Sequence, residues 1–280
     1  MIIDSHVHVF PDEMREDRSS FFNGEPAFES IYNSSKAKLV GVEELILNMD
    51  REGIDKAVIF GFPWENEKNY KRHNDYIIEA VLHHPTRLIG FCCFSPLSPG
   101  GAREAERGLE SGLSGVGELA VYDSGFSSDT IELLSEVMSL CAGSDAPFLL
   151  HTNEPVGHKY PGKSPMDLAL IYKFLKAYPS NRIVLAHWGG GLLFYALMKR
   201  EVKDVLHNVW FDTAASPFLY SPDIYNVAGE IIGFEKILFG SDYPLISPER
   251  YFLEMEQAGI SSEHLKKIKG DNAAGFFKRI

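Results

Sequence analysis

Short apolar runs alternate along the chain with longer stretches in which apolar positions recur at helical spacing. The first run covers residues 2–6, an amphipathic stretch follows at 42–53, and a second run at 56–60 comes directly after it. Further β-rich runs occupy residues 88–94, 116–121, 147–151, 182–187, 209–213 and 237–242. The helical stretches that follow are long enough to cross back over a sheet. Eight alternating β and α units predict an α/β fold, a (β/α)8 barrel of the TIM type.

The predicted barrel is a single domain over residues 1–280, since this length lies within the usual range of one α/β barrel. An open, doubly wound sheet is the alternative, but no Gly-x-Gly-x-x-Gly motif follows the first strand. Residues 11–39, rich in Ser, Asn, Glu and Pro, are too long for an ordinary loop between a strand and a helix. We predict that this insertion after the first strand folds over the barrel mouth as a lid.

Composition and charge restrict the expected binding partners and the expected cellular location of the protein. A formal net charge of −12 and a pI near 5.3 argue against a nucleic-acid partner, because such proteins usually carry a basic face. No run of about eighteen apolar residues and no basic, apolar leader is present, so we expect neither a membrane partner nor export. The three cysteines lack metal-ligand spacing and fit reduced thiols. These features predict a cytoplasmic protein.

Polar residues with metal-binding side chains fall at or near the carboxyl ends of the predicted strands. They are His6, His8, Glu118, His151, His187 and Asp242. In a barrel of parallel strands these ends form the functional face. His6 and His8 project on the same side, because side chains alternate along a strand. A single such residue is usually structural, but imidazoles and a carboxylate at one barrel end match the ligand preferences of zinc and similar divalent ions.

Five sequence motifs carry a resemblance that covers nearly the whole chain. They are Asp4-Ser-His-Val-His8, the strand-five His151, Ala186-His-Trp-Gly-Gly190, Phe239-Gly-Ser-Asp-Tyr-Pro244 and Gly270-Asp-Asn-Ala-Ala274. With them the chain resembles the amidohydrolase superfamily, in its amidohydrolase-2 branch of metal-dependent hydrolases and related decarboxylases. The resemblance implies that His6, His8, His151 and Asp242 bind the metal. It also implies that His187 faces the substrate as a catalytic or second-metal residue, and it favours a homodimer.

Glu118 stands where many superfamily members have a carboxylated lysine, whereas deoxyribonuclease-like relatives have a glutamate in a similar Gly-x-Gly-Glu setting. We predict that Glu118 is a metal ligand, and a carboxylate in this position can bridge two ions. The alternative is a glutamate that only accepts hydrogen bonds inside the barrel, which leaves a single ion. Zinc is the expected metal, one ion or two, and manganese accepts nearly the same ligands.

Three functions remain open at this point. The main expectation is a metal-dependent hydrolase that attacks an amide, ester or lactone carbonyl of a small molecule with a metal-activated water. Asp242 would accept the proton of that water, and a protonated His187 would stabilise the oxyanion. The alternative is a metal-dependent, non-oxidative decarboxylase of a small unsaturated or aromatic acid, and the third reading is an inactive barrel that serves as a binding protein. The metal ligands do not distinguish hydrolysis from decarboxylation.

Substrate choice is expected to depend on loops after the strands, where binding groups concentrate. Trp64 follows the second strand, and Asn153 and His158 follow the fifth. A cation for a substrate carboxylate is expected from Arg72, Lys159 or Lys163. His73 lies in a polar helical stretch, which predicts an exposed side chain or one at a helix end.

Overall fold

The structure, a computed structural model, describes residues 1–277, and in that range eight strands form one parallel sheet in sequence order. The strands are β1 (Ile3–His8), β2 (Lys56–Phe60), β3 (Leu88–Cys92), β4 (Gly115–Leu119), β5 (Phe148–Leu150), β6 (Ile183–Leu185), β7 (Val209–Asp212) and β8 (Ile237–Leu238). Each strand pairs in parallel with the next one. The predicted (β/α)8 barrel is therefore confirmed.

Backbone hydrogen bonds between the two ends of the chain close the barrel. The amide of Ser5 donates to the carbonyl of Phe239 at 2.8 Å, and the amide of Asp242 donates to the carbonyl of His6 at 3.0 Å. The amide of His8 donates to the carbonyl of Tyr243 at 2.9 Å. Since these bonds supply β1 with a neighbour on its second side, the first strand is not a free edge.

Helices follow the strands and cover the outside of the barrel. The α-helices are α1 (Asp12–Glu16), α2 (Pro26–Tyr32), α3 (Val42–Glu52), α4 (Glu67–His83), α5 (Gly101–Glu110), α6 (Ser128–Leu133), α7 (Ser135–Ser144), α8 (Leu168–Ala177), α9 (Arg200–Val205), α10 (Ser216–Leu219), α11 (Ile224–Ile232), α12 (Pro248–Gln257), α13 (Ser262–Lys266) and α14 (Asn272–Phe276). Shorter 3-10 segments are Arg18–Phe21, His187–Leu197, Leu206–Asn208 and Phe234–Lys236, and Lys267–Asp271 forms a π-helical turn. Within the described range, no helix has both the length and the apolar character needed to cross a membrane.

Helix α3 illustrates how the apolar pattern produces these elements. Leu45 and Met49 are buried against the barrel, whereas Glu43 and Glu44 in the same helix are exposed. Gly53 ends the helix with a left-handed φ of 69°, a conformation that glycine adopts without steric cost. The apolar positions at helical spacing therefore mark the face that packs on β-strands.

Two predicted helices differ from the observed ones. The stretch 130–142 is divided at Leu134 into α6 and α7. The stretch 192–206 begins in the 3-10 segment His187–Leu197 and reaches regular helix only in α9. Residues 188–191, inside that segment, have left-handed φ values of 58° to 91°. Three of those four residues are glycines, which tolerate this conformation, so a helix cannot continue directly from β6.

The insertion at 11–39 packs firmly on the loop after β2. Phe28 is fully buried, with its ring centroid 4.3 Å from that of Trp64 and 5.2 Å from that of Phe62. The buried Glu25 carboxylate accepts hydrogen bonds from the amides of Glu65, at 3.1 Å, and Asn66, at 2.8 Å. The insertion is thereby fixed to the start of α4, and its action as a lid stays a prediction.

Replacing Phe28 by alanine is expected to destabilise the protein by about 3–5 kcal/mol, because the change leaves a cavity among aromatic rings. Urea denaturation followed by circular dichroism measures the loss. Leu82→Ala is the control, since Leu82 is 69% exposed and its truncation is expected to change stability by about 0.5 kcal/mol at most. Equal losses in the two variants would show that the insertion is not anchored through Phe28.

Candidate metal centre

The six predicted polar residues converge at the carboxyl end of the barrel. His6 and His8 extend from β1, Glu118 from β4, and His151 follows β5 directly. The remaining two residues, His187 and Asp242, lie a short distance beyond the ends of β6 and β8. All are buried except Asp242, whose side chain is 14% exposed. The cluster is therefore nearly enclosed, and Asp242 is its most exposed member.

Glu118 lies at the centre of this cluster. Its Oε2 is 3.6 Å from Nε2 of both His6 and His8. Its Oε1 is 3.0 Å from Nδ1 of His151 and 3.4 Å from Nε2 of His187. Burial opposes ionisation, but the charges of His6 and His151 outweigh it and hold the pKa of Glu118 well below its usual range. The centre of the site is therefore a carboxylate with one oxygen facing each pair of imidazoles.

The carboxylate of Asp242 faces the β1 pair from the opposite end of the chain. Its Oδ1 is 3.6 Å from Nε2 of His6 and 3.5 Å from Nε2 of His8. Ser241 is fixed next to it, because its amide donates to Oδ1 of Asp4 at 2.9 Å and its hydroxyl donates to the same carboxylate. Asp4 and Ser241, two residues of the recognised motifs, thus position Asp242 against β1.

Backbone carbonyls fix the orientation of two imidazoles. Nδ1 of His8 lies 3.0 Å from the carbonyl oxygen of Gly61, and Nδ1 of His187 lies 3.0 Å from that of Ala214. A carbonyl can only accept, so Nδ1 carries the proton in both rings and Nε2 presents its lone pair to the cluster when the ring is neutral. This is the orientation in which histidines ligate metals.

Asp212, which the sequence reasoning did not single out, holds two of these residues together. Its Oδ2 accepts from Nδ1 of His6 at 2.8 Å, and its Oδ1 accepts from the backbone amides of His187, at 2.9 Å, and Ala214, at 3.0 Å. Asp212 is fully buried. Asp212 belongs to none of the recognised motifs, and an aspartate at the end of a β-rich run is equally typical of the start of a turn.

The donor set fits a divalent metal. Nε2 of His6 and Nε2 of His151 are buried atoms without a hydrogen-bond partner among the described residues. Three groups of side chains each have ligand atoms within 4.8 Å of one another; they are His6, His8 and Glu118; His6, His187 and Asp242; and Glu118, His151 and His187. Buried imidazole nitrogens without partners cost free energy unless a cation satisfies them. The described residues thus include a site that can hold a divalent metal.

Protons compete with a metal for this site. Burial opposes protonation of His6, but the charges of Glu118 and Asp212 outweigh it and raise its pKa to about 10. In His187 burial is outweighed in the same way by the hydrogen bond and charge of Glu118, which raise its pKa to about 9. A bound cation would displace the proton of His6, a proposed ligand, because it would satisfy the same carboxylates.

Two of the three predicted substrate residues are buried and make hydrogen bonds to neighbouring segments. Trp64 is fully buried, and its indole N–H donates to Nδ1 of His73 at 2.9 Å. Asn153 is buried too, and its side chain bonds the backbone of Ser164 in both directions. His158 is exposed in the same loop. The side chains of Trp64 and Asn153 are therefore occupied in packing the loops, and substrate contact by these three residues stays a prediction.

His73 is buried, contrary to the expectation from its polar helix. Its Nδ1 accepts from Trp64, and its Nε2 lies 2.6 Å from the carbonyl oxygen of Val9. Burial lowers the pKa of His73 to about 4, so the ring is neutral and holds the loop after β2 against β1. The expectation failed because hydrogen bonding from another strand is not visible in the helical pattern.

Two of the three cations expected near the substrate are already paired. The Arg72 guanidinium lies 3.1 Å from Glu13 on the surface. The Lys163 ammonium lies 2.6 Å from Glu154 and also donates to the carbonyl of His158. Lys159 is exposed. Neither Arg72 nor Lys163 therefore presents an unpaired charge to a substrate.

Replacing Asp212 by asparagine is expected to weaken metal binding by about 10–100-fold. The new amide N–H would donate to Nδ1 of His6, so that the ring would carry its proton on Nε2 and lose the lone pair that faces the cluster. Competition with a chromophoric chelator measures the affinity. Asp204→Asn, at an exposed position on α9, is the matched control and should retain wild-type affinity. Unchanged affinity in Asp212→Asn would show that the carboxylate does not orient His6.

Comparison with known proteins corrects the expected reaction. A γ-resorcylate decarboxylase from Polaromonas is 26% identical over 282 residues, covering 85% of this chain and 84% of that protein. The structure of 5-carboxyvanillate decarboxylase from Sphingomonas paucimobilis superposes with a TM-score of 0.76 at 18% identity, over 99% of this chain and 98% of the other. These proteins are decarboxylases, so the main expectation of hydrolysis is wrong. The metal ligands could not reveal this, since the two reactions use the same ones.

A third similar protein bears on the metal. The structure of 5-carboxyvanillate decarboxylase from Novosphingobium aromaticivorans, described as a complex with manganese and 4-hydroxy-3-methoxy-5-nitrobenzoic acid, has a TM-score of 0.77 at 17% identity. It covers 99% of this chain and 96% of the other. That related structure contains manganese, which the sequence analysis allowed beside zinc, and the identity of the metal in this protein stays a prediction. The cytoplasmic location, the homodimer and the lack of nucleic-acid and membrane partners stay predictions.

The family follows from a match over almost the full length. The amidohydrolase family model, in the amidohydrolase-2 branch, matches residues 3–279. This range contains all six strand-end residues of the cluster described above. The protein therefore belongs to the amidohydrolase-2 family.

Proposed function

We propose that the protein is a metal-dependent, non-oxidative decarboxylase of a small aromatic acid. The observation that carries this proposal is the orientation of His187 beside the cluster. Its Nδ1 is committed to the carbonyl of Ala214, and its Nε2 faces Glu118 at 3.4 Å. A histidine in this orientation can hold one transferable proton inside a nearly enclosed site. The decarboxylase activity named for the relatives supports the same reaction class.

The proposed metal ligands are the members of the cluster other than His187, which we assign to proton delivery. They are His6, His8, Glu118, His151 and Asp242. When bound, a divalent cation would act as a Lewis acid on an oxygen of the substrate. Manganese is the first ion to test, because it is present in a related decarboxylase structure. Glu118 has one oxygen toward each pair of imidazoles, which also allows it to bridge two ions.

The reaction requires one proton for each carboxylate lost. The bond between the ring carbon and the carboxylate breaks, its electron pair stays on the ring carbon, and carbon dioxide leaves. A proton must then be delivered to that carbon. We propose that His187 delivers it from Nε2, while Asp212 and Ala214 keep the ring in place. A protonated His187 would carry this proton on Nε2, because its Nδ1–H is committed to the carbonyl of Ala214.

The proposed function is tested by product analysis in deuterated water. The purified protein is loaded with manganese and supplied with γ-resorcylic acid and 5-carboxyvanillic acid, each labelled with ¹³C in the carboxyl group. We expect labelled carbon dioxide and one deuterium on the ring carbon that carried the carboxyl group. His6→Ala and Asp242→Ala, which remove ligands, should show neither product while remaining folded by circular dichroism. A manganese-loaded protein that releases no carbon dioxide from either acid would rule out these aromatic acids as substrates.

Replacing His187 by glutamine is expected to lower kcat by about 10²–10⁴-fold, the usual contribution of a positioned acid or base. Metal content should stay at the wild-type level, because His187 is not among the proposed ligands. Steady-state kinetics and elemental analysis measure the two quantities. His207→Gln, at an exposed position, is the matched control. Loss of metal in His187→Gln would instead make His187 a ligand.

A further inference from the structure

Three aromatic residues from separate segments form a continuous wall that begins at the metal centre. Tyr122, which follows β4, has its ring centroid 5.0 Å from that of His151. Phe62, which follows β2, is stacked on Tyr122 with centroids 5.8 Å apart and an angle of 14° between the planes. Tyr32, at the end of α2, meets Phe62 edge-on at 6.0 Å. We call these three residues the aromatic wall.

The two phenols of the wall lie close enough to the centre to respond to its charges. Burial raises the pKa of Tyr122 well above its usual range, and the charges of Glu118 and Asp242 raise it further. Burial also raises the pKa of Tyr32, with Asp242 and Glu118 again adding to the effect. A phenol ordinarily keeps its proton at neutral pH, so each hydroxyl offers a hydrogen-bond donor.

Neither hydroxyl is committed to a protein partner. Two other tyrosines show what a committed hydroxyl looks like: that of Tyr160 donates to Glu154 at 2.9 Å, and that of Tyr251 donates to the carbonyl of Ser241 at 2.5 Å. Among residues 1–277, no hydrogen bond joins the hydroxyl of Tyr32 or Tyr122 to another protein group. Both residues are partly exposed, so these donors are accessible to a ligand.

The negative charges of Glu118 and Asp242, which act on both phenols, argue against recognition of a second carboxylate at the wall. Arg18, the cation that acts on Tyr32, donates to the backbone carbonyls of Tyr32 and Ala37. Lys163 is neutralised by Glu154. The wall thus offers two neutral donors and an aromatic face. This chemistry fits an uncharged oxygen substituent on an aromatic ring, such as a hydroxyl or methoxy group.

We propose that Tyr32 and Tyr122 select the substrate by donating hydrogen bonds to an uncharged oxygen on its aromatic ring, while the buried Phe62 supports the ring of Tyr122 from behind. This inference rests on the proposed function for the identity of the acid, but it predicts ligand selectivity that is independent of turnover. A donor that a bound ring shields from water is costly when it has no acceptor, so an acid lacking the oxygen should bind more weakly.

The test measures binding to the manganese-loaded protein by calorimetry. The probes are benzoate and its 2-hydroxy, 3-hydroxy and 4-hydroxy derivatives. We expect at least one hydroxybenzoate to bind the wild type more tightly than benzoate. Tyr122→Phe and Tyr32→Phe should weaken that hydroxybenzoate by about tenfold and change benzoate by less than twofold. The ring is conserved in both variants, so the wall should still pack.

Tyr172→Phe, on the outer helix α8, is the matched control and should leave all four affinities unchanged. Three results would overturn the inference. Both wall variants could weaken benzoate and the hydroxybenzoates by the same factor, or neither variant could change any affinity. The third result is that no hydroxybenzoate binds more tightly than benzoate. Selective binding without release of carbon dioxide would reject the proposed function and keep the inference. Release of carbon dioxide without selective binding would keep the proposed function and reject the inference.

Discussion

The geometry of the site depends on one buried carboxylate, that of Asp212. It accepts three hydrogen bonds, from the His6 ring and from the backbone amides of His187 and Ala214. A buried charge is tolerated only when its hydrogen bonds are satisfied, so these donors cannot leave without a large cost. Asp212 therefore ties the end of β7 to a proposed ligand on β1 and to the proposed proton donor after β6. The site residues lie on separate strands, but this one side chain fixes their relative positions.

Much of the fold and of the site follows from sequence pattern alone. Apolar periodicity located the strands, and the position of His6, Glu118 and Asp242 at strand ends predicted their convergence, because parallel strands in a barrel present their carboxyl ends on one face. The length of the elements was less predictable. Strand β8 spans only two residues, since backbone bonds to β1 continue the barrel where regular strand pairing ends.

The remaining features depend on contacts between distant segments. Asp212 and His73 acquire their roles from partners far away in the sequence, and no local pattern encodes those partners. The reaction itself was predicted wrongly for a related reason. Metal ligands specify where a cation binds, whereas the choice between hydrolysis and decarboxylation depends on how a substrate is held by loops such as the one that carries Tyr122.

Closure of the barrel between β8 and β1 has a consequence for the maturation of the protein. The candidate ligands run from His6 at the beginning of the chain to Asp242 near its end, and the backbone bonds of β1 to Phe239 and Tyr243 form only when both ends are present. A partly synthesised chain therefore cannot assemble the complete coordination sphere. The candidate metal centre is complete only once the last strand has been translated and has paired with β1, so both ends of the chain are needed before all the candidate ligands can face one ion.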